Sequence, residues 1–170
     1  MIKRLVLTVL ALTLFTATSY AAEMKIGVVD VRAVIGKTPQ RESIQVTLQN
    51  EFKERGAKLQ ALEVEIRGLQ DKRQNDAPTM TSQQATEIVR DIEAKVSKFQ
   101  LDEKALQEDF KRRNEEEQRK LLILTKKAID QVASKEGLEL VLQAESAAFV
   151  DQKLDISNKV IALMSEPNFK

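Results

Sequence analysis

Two apolar stripes, each on a seven-residue repeat and separated by a proline, restrict this protein more than any other feature. Leu48, Phe52, Leu59, Leu62, Ile66 and Leu69 follow one another at steps of three, four or seven. Ala85, Val89, Ile92, Val96, Phe99, Leu106 and Phe110 do the same. Such spacing lines up on one side of an α-helix, because seven residues complete nearly two turns. Between the stripes, Asn75-Asp76-Ala77-Pro78-Thr79 is a turn. Proline has no N–H to continue a helix, and its ring clashes with the preceding turn. Thr81 or Ser82 offers a hydroxyl to cap the second helix.

The spacing predicts one helix over residues 40–74 and a second running to Glu136-Gly137, where glycine is a natural stop. A turn centred near Ala77 pairs Leu69 with Ala85, Ile66 with Val89, Leu62 with Ile92 and Leu59 with Val96. The sequence therefore reads as an antiparallel hairpin, an arm roughly 50 Å long at about 1.5 Å per residue. Residues 111–120 contain no apolar side group. In this register they lie at the base of the hairpin, where the first helix has ended. Leu121, Leu124, Ala128 and Val132 then restore a helical stripe.

The segments flanking the hairpin carry strand signals. Lys25-Ile26-Gly27-Val28-Val29-Asp30-Val31 is rich in Val and Ile, and Ala33-Val34-Ile35 suits one helical turn. Leu138-Glu139-Leu140-Val141-Leu142 is a second strand, and Ala147-Ala148-Phe149-Val150 a third. Asp155 or Ser157 can cap a last helix with Ile156, Val160, Ile161 and Met164 on one face, closed by Pro167. The fold class is α+β, mostly α: a long helical hairpin on a small β body. Strands so few and short do not make a stable sheet alone. Further copies of the protein are expected to complete it, with Ile26, Val28, Leu140, Leu142 and Phe149 as the oligomerisation positions.

Composition then removes most chemistry. There is no Cys and no His, so disulfides, thiolate nucleophiles, imidazole bases and the usual metal ligands are excluded. No enzymatic activity and no cofactor are expected. Gly36-Lys37-Thr38 imitates the end of a phosphate-binding loop, but Val31 stands where that loop needs its first glycine. The N-terminus carries Lys3 and Arg4, an apolar run from Leu5 to Phe15, and small residues at Ser19 and Ala21. This is the pattern of a cleaved signal peptide, cut after Ala21 or Ala22. Removing residues 1–21 takes away two cations and no acid, which moves the formal charge from +1 to −1. A protein of that charge is a poor candidate for nucleic acid. The expected organisation is a signal peptide over 1–21, an arm over 40–117, and a β-rich body with terminal helix over 22–39 and 118–170.

Two groups of residues are candidates for binding. Val64, Met80, Ile88 and Leu101 fall off the apolar seam and offer weak contacts to a nonpolar partner. Lys111, Arg112 and Arg113 form a compact cationic cluster that suits phosphate. An arm of this kind is expected to bind, either weakly to nonpolar clients or, as an adaptor, to one folded envelope protein.

From about Met24 to Met164 the sequence resembles the Skp (OmpH-like) periplasmic chaperones. The resemblance lies in the order of elements and in particular stretches. Those are Lys25-Ile26-Gly27-Val28-Val29-Asp30, Asn50-Glu51-Phe52-Lys53, Arg112-Arg113-Asn114-Glu115-Glu116, Leu138-Glu139-Leu140-Val141-Leu142 and Leu154-Asp155-Ile156-Ser157. It implies a periplasmic homotrimer whose strands share a barrel-like body and whose three arms enclose a cavity. Unfolded outer-membrane proteins would be held there without ATP. It also implies a lipopolysaccharide or anionic-lipid site at Arg112 and Arg113. The family's earlier basic position falls on Asp102, with Lys98 and Lys104 beside it.

Overall fold

In the computed structural model of the protein, the residues described are 24–169. The basic start, the apolar run and the cleavage positions at Ala21 and Ala22 lie outside them. Strand β1 (Ile26–Val29) is followed by helix α1 (Val31–Lys37) and the first arm helix α2 (Pro39–Asp76). The second arm helix α3 (Ser82–Glu136), strand β2 (Leu140–Gln143) and helix α4 (Ser157–Met164) complete the fold.

Local chemistry fixes each boundary. Asp30 ends β1 because its carboxylate accepts the N–H of Ala33 at 2.8 Å, which starts α1. Pro39 opens α2, where a missing N–H costs nothing. At the far end Thr81 and Gln84 form a capping box: Gln84 N–H donates to the Thr81 hydroxyl at 3.3 Å, and Thr81 N–H to Gln84 Oε1 at 3.0 Å. Helix α3 closes on Gly137 at φ 67°, a left-handed conformation that favours glycine. At about 1.5 Å per residue, α2 and α3 extend about 57 and 83 Å. Among the described residues no helix is long and apolar enough to cross a membrane.

The hairpin forms as expected, but its register differs. Glu65 meets Lys95, Phe52 meets Phe110, and Glu51 meets Arg113. The expected pairs, such as Leu59 with Val96, assumed a turn centred on Ala77. In fact α2 continues through Asp76 and the turn occupies residues 77–81, and the contacting pairs centre on residues 80–82, so the helices slide past each other relative to that expectation. A stripe with steps of three and four fits several such slides, so periodicity alone does not choose among them. Leu48, Ile66, Ile88 and Ile92 are the buried residues of the seam. The same shift corrects the position of residues 111–120. They lie inside the hairpin, opposite α2, and not beyond its end.

The body is built where α3 outruns α2. Leu121, Ala128 and Val132 of α3 pack with Val29, Val34, Ile156, Val160 and Met164 in one core. Strands β1 and β2 are parallel, with Ile26 beside Leu140 and Val29 beside Gln143. The whole hairpin is the connection between them. On its other side β1 bridges to Asp155, and Ile156 N–H donates to the Val28 carbonyl at 2.8 Å. Two ties lock the body to the arm helices. Gln40 Nε2 donates to the Met164 carbonyl at 2.6 Å, and Lys159 meets Glu136 at 2.7 Å.

One expected element is absent. Residues 147–150 form no strand within a single copy of the protein. A short 3₁₀ turn, Ala144–Ser146, leads the backbone away from β2. Strand β1 is already flanked on both sides, so no place beside it remains.

Candidate functional site

The cationic cluster proves to be an ion-pair network. Arg113 contacts Glu51 at 3.0 Å, Glu116 at 2.8 Å and Glu117 at 3.1 Å. Arg112 contacts Asp109 at 2.9 Å and Glu116 at 3.4 Å, and Arg55 reaches Asp109 from α2 at 2.7 Å. The hydrogen bonds that Arg113 donates to Glu51, then to Glu116, raise its guanidinium pKa further above its ordinary value. Arg112 and then Arg55 hold Asp109 below the usual carboxylate range, while Arg113 does the same for Glu116. Glu117 is lowered by Lys120 first and by Arg113 second. The network replaces apolar packing over a stretch that has none. Phe52 stacks edge-on against Phe110 beside it, ring centres 5.4 Å apart.

Lys98 and Lys104 do not join this cluster. Lys98 pairs with Asp102 at 2.6 Å and Lys104 with Glu108 at 3.9 Å, each along its own helix. From Lys98 to Arg112 the four cations are strung along about 20 Å of α3. All four therefore have carboxylate partners. The pairs of Lys98, Lys104 and Arg112 are solvent-exposed and weak, whereas Arg113 is mostly covered and held by three carboxylates.

The apolar candidates divide. Val64 and Leu101 are 65% and 69% exposed. Met80 is half-buried at the tip, in a groove with Leu69 and Ile88. Ile88 is only 9% exposed and belongs to the seam, a correction that follows from the shifted register. The oligomerisation candidates divide likewise. Val28 is buried within its own subunit and Ile26 half-buried, whereas Leu140 and Leu142 remain exposed and Phe149 is 86% exposed. Leu122 adjoins Leu140 and Leu142 on this surface, and Ile123 next to it in sequence is 71% exposed. Neither is expected there from the sequence, although Ile123 visibly falls off the stripe of Leu121, Leu124 and Ala128.

A cavity of about 910 Å³ opens at the base of the arm. Val29 and Ile35 of the body, Ile44 and Leu48 of α2, and Leu121 and Leu122 of α3 line it. The sequence points to no site here, because a turn centred on Ala77 does not bring these residues together.

These features define an α+β protein with one long helical arm on a small body that leaves apolar strand surface uncovered. A family model described as Outer membrane protein (OmpH-like) matches residues 25–164, and the protein belongs to that family. "Chaperone protein Skp" of Pectobacterium atrosepticum is 36% identical over 89% of this sequence and 92% of its own length. The protein of that name in Escherichia coli K12 is 30% identical, covering 81% and 84%. A crystal structure of an OmpH-like outer membrane chaperone from Caulobacter crescentus superposes with a TM-score of 0.75. It covers 89% of this protein and 90% of that one at 14% identity, a likeness of fold. The protein is a chaperone of this family and not an enzyme.

Proposed function

We propose that the protein is an ATP-independent periplasmic holdase, a homotrimer whose arms surround unfolded outer-membrane proteins and keep them from aggregating. The observation that carries this reading is the arm itself. A hairpin of about 57 Å stabilised along a single seam adds little to the core. Its length serves to enclose or reach something. The exposed Leu140, Leu142 and Phe149 support assembly, since packing against other copies would remove their surfaces from water. The signal-peptide pattern of residues 1–21 supports export to the periplasm.

Holding works by exclusion. Weak apolar contacts, with Val64, Leu101 and Met80 as contributors, and ionic contacts along the arm shield a client without ordering it. Arg112 and Arg113, with Lys98 and Lys104, take part in binding lipopolysaccharide or an anionic lipid surface by exchanging carboxylates for phosphate. Such binding is expected to weaken steeply with salt. Light scattering after dilution of a urea-unfolded barrel protein tests the reading. Mature protein at one trimer per client is expected to suppress the scattering without nucleotide. Unchanged scattering removes the proposal.

A further inference from the structure

The cavity at the base of the arm has an unusual wall. Beside its apolar groups stand five carboxamides: Gln45 and Gln49 from α2, Asn114 and Gln118 from α3, and Gln143 from the end of β2. Within residues 111–120, Asn114 and Gln118 are the two uncharged positions, and they are also the two that line the cavity. On α3 the wall is thus uncharged while the rest of the stretch is ionic, and Arg41 of α2 brings one cation to the wall. The contacts of Phe52 with Phe110 and Glu51 with Arg113 set the register. That register places Gln49 level with Asn114, and Gln45 level with Gln118. Among the described residues no side-chain hydrogen bond engages any of the five amides. Arg32 and Glu145, also in the wall, neutralise each other at 3.1 Å.

The chemistry of the wall selects among occupants. A lipid tail would desolvate the amides and leave them unpaired, which opposes its binding. An extended polypeptide matches both parts of the wall. A carboxamide donates and accepts, so it pairs with backbone C=O and N–H alike. Alternate residues of an extended segment point to opposite sides, where apolar walls receive them. The volume of about 910 Å³ is that of a ligand site. We propose that this cavity is the subsite that grips an extended, uncharged segment of an unfolded client through its backbone. This rests on the holdase reading and gives it a location. Backbone recognition is blind to sequence, as a protein serving many clients requires.

The test uses the full-length mature protein with Gln45→Met and Gln118→Met, changes that keep length and helix propensity but remove the amides. The probe is a fluorescently labelled, uncharged peptide of alternating valine and threonine, followed by anisotropy. The double variant is expected to bind it about tenfold more weakly, the loss of two hydrogen bonds. Equal or tighter peptide binding overturns the proposal, as does tighter palmitate binding with displacement of the peptide. A lower solution mass for the variant also overturns it, since the groove is then a contact between copies. Should the double variant lose helix by circular dichroism, Asn114→Leu alone carries the same expectation at about threefold. Wild-type protein that binds the peptide yet fails to prevent aggregation removes the holdase reading. Protection with a variant indistinguishable from wild type removes the subsite alone.

Discussion

Single residues at the arm base and in the body decide how the fold closes. A Cβ added to Gly27 would lie 2.6 Å from Leu138 Cδ1, between β1 and the segment entering β2. Gly27→Ala is therefore expected to destabilise the body by about 1 kcal/mol, read as a lower midpoint in thermal unfolding. At the arm base the carboxylates give a pH signature. Asp109, Glu116 and Glu117 have folded-state pKa values below their ordinary ones. Their contribution is present above the ordinary carboxylate range and is lost as pH falls through the lowered values. Urea midpoints followed by circular dichroism should thus be flat near neutrality and fall below about pH 4. Arg113→Ala should flatten part of that fall. It removes the cation that Glu51, Glu116 and Glu117 share.

At the scale of elements, the arm depends on one seam, and burial ranks its residues. Ile88→Ala is expected to lower stability by about 2 kcal/mol, because the isoleucine is buried between the helices. Val64→Ala, on an exposed face, should change it by less than about 0.5 kcal/mol. Urea denaturation of the two variants side by side checks the contrast. The elements themselves were legible in the sequence, since their signals are local. Heptad steps gave the helices, Thr81 and Gly137 their ends, and the Val and Ile run of residues 26–29 the strand. What lay beyond reach depended on long-range choice. Several slides of the two helices bury apolar stripes equally well, and only the three-dimensional turn selects one. The misplacement of Ile88 and of residues 111–120 follows from that single ambiguity. So does the missed cavity, although the isolated Asn114 and Gln118 within a charged run were a visible sign of it. The arginine pair was legible as two adjacent cations, and the structure sets both among carboxylates. Its one carboxylate partner on α2, Glu51, was invisible until the register was known.

The whole molecule presents more apolar surface on its body than a single subunit covers. Residues 147–150 read as a strand in the sequence yet form none here, because the 3₁₀ turn at Ala144–Ser146 carries the backbone away from the free edge of β2. Leu140→Arg with Leu142→Arg places charge on the exposed strand surface. It is expected to reduce the solution mass to that of one subunit while the arm keeps its helicity. Retention of the wild-type mass would move the interface elsewhere. In the proposed reading the arm, body and cavity fit together as one device: assembly sets the arms around a space, and weak contacts along them hold a client. Native mass spectrometry of the mature protein mixed with a urea-diluted outer-membrane barrel protein tests this most directly. A dominant species of three subunits and one client, formed without nucleotide, is the expected result. Free single subunits beside aggregated client would contradict it.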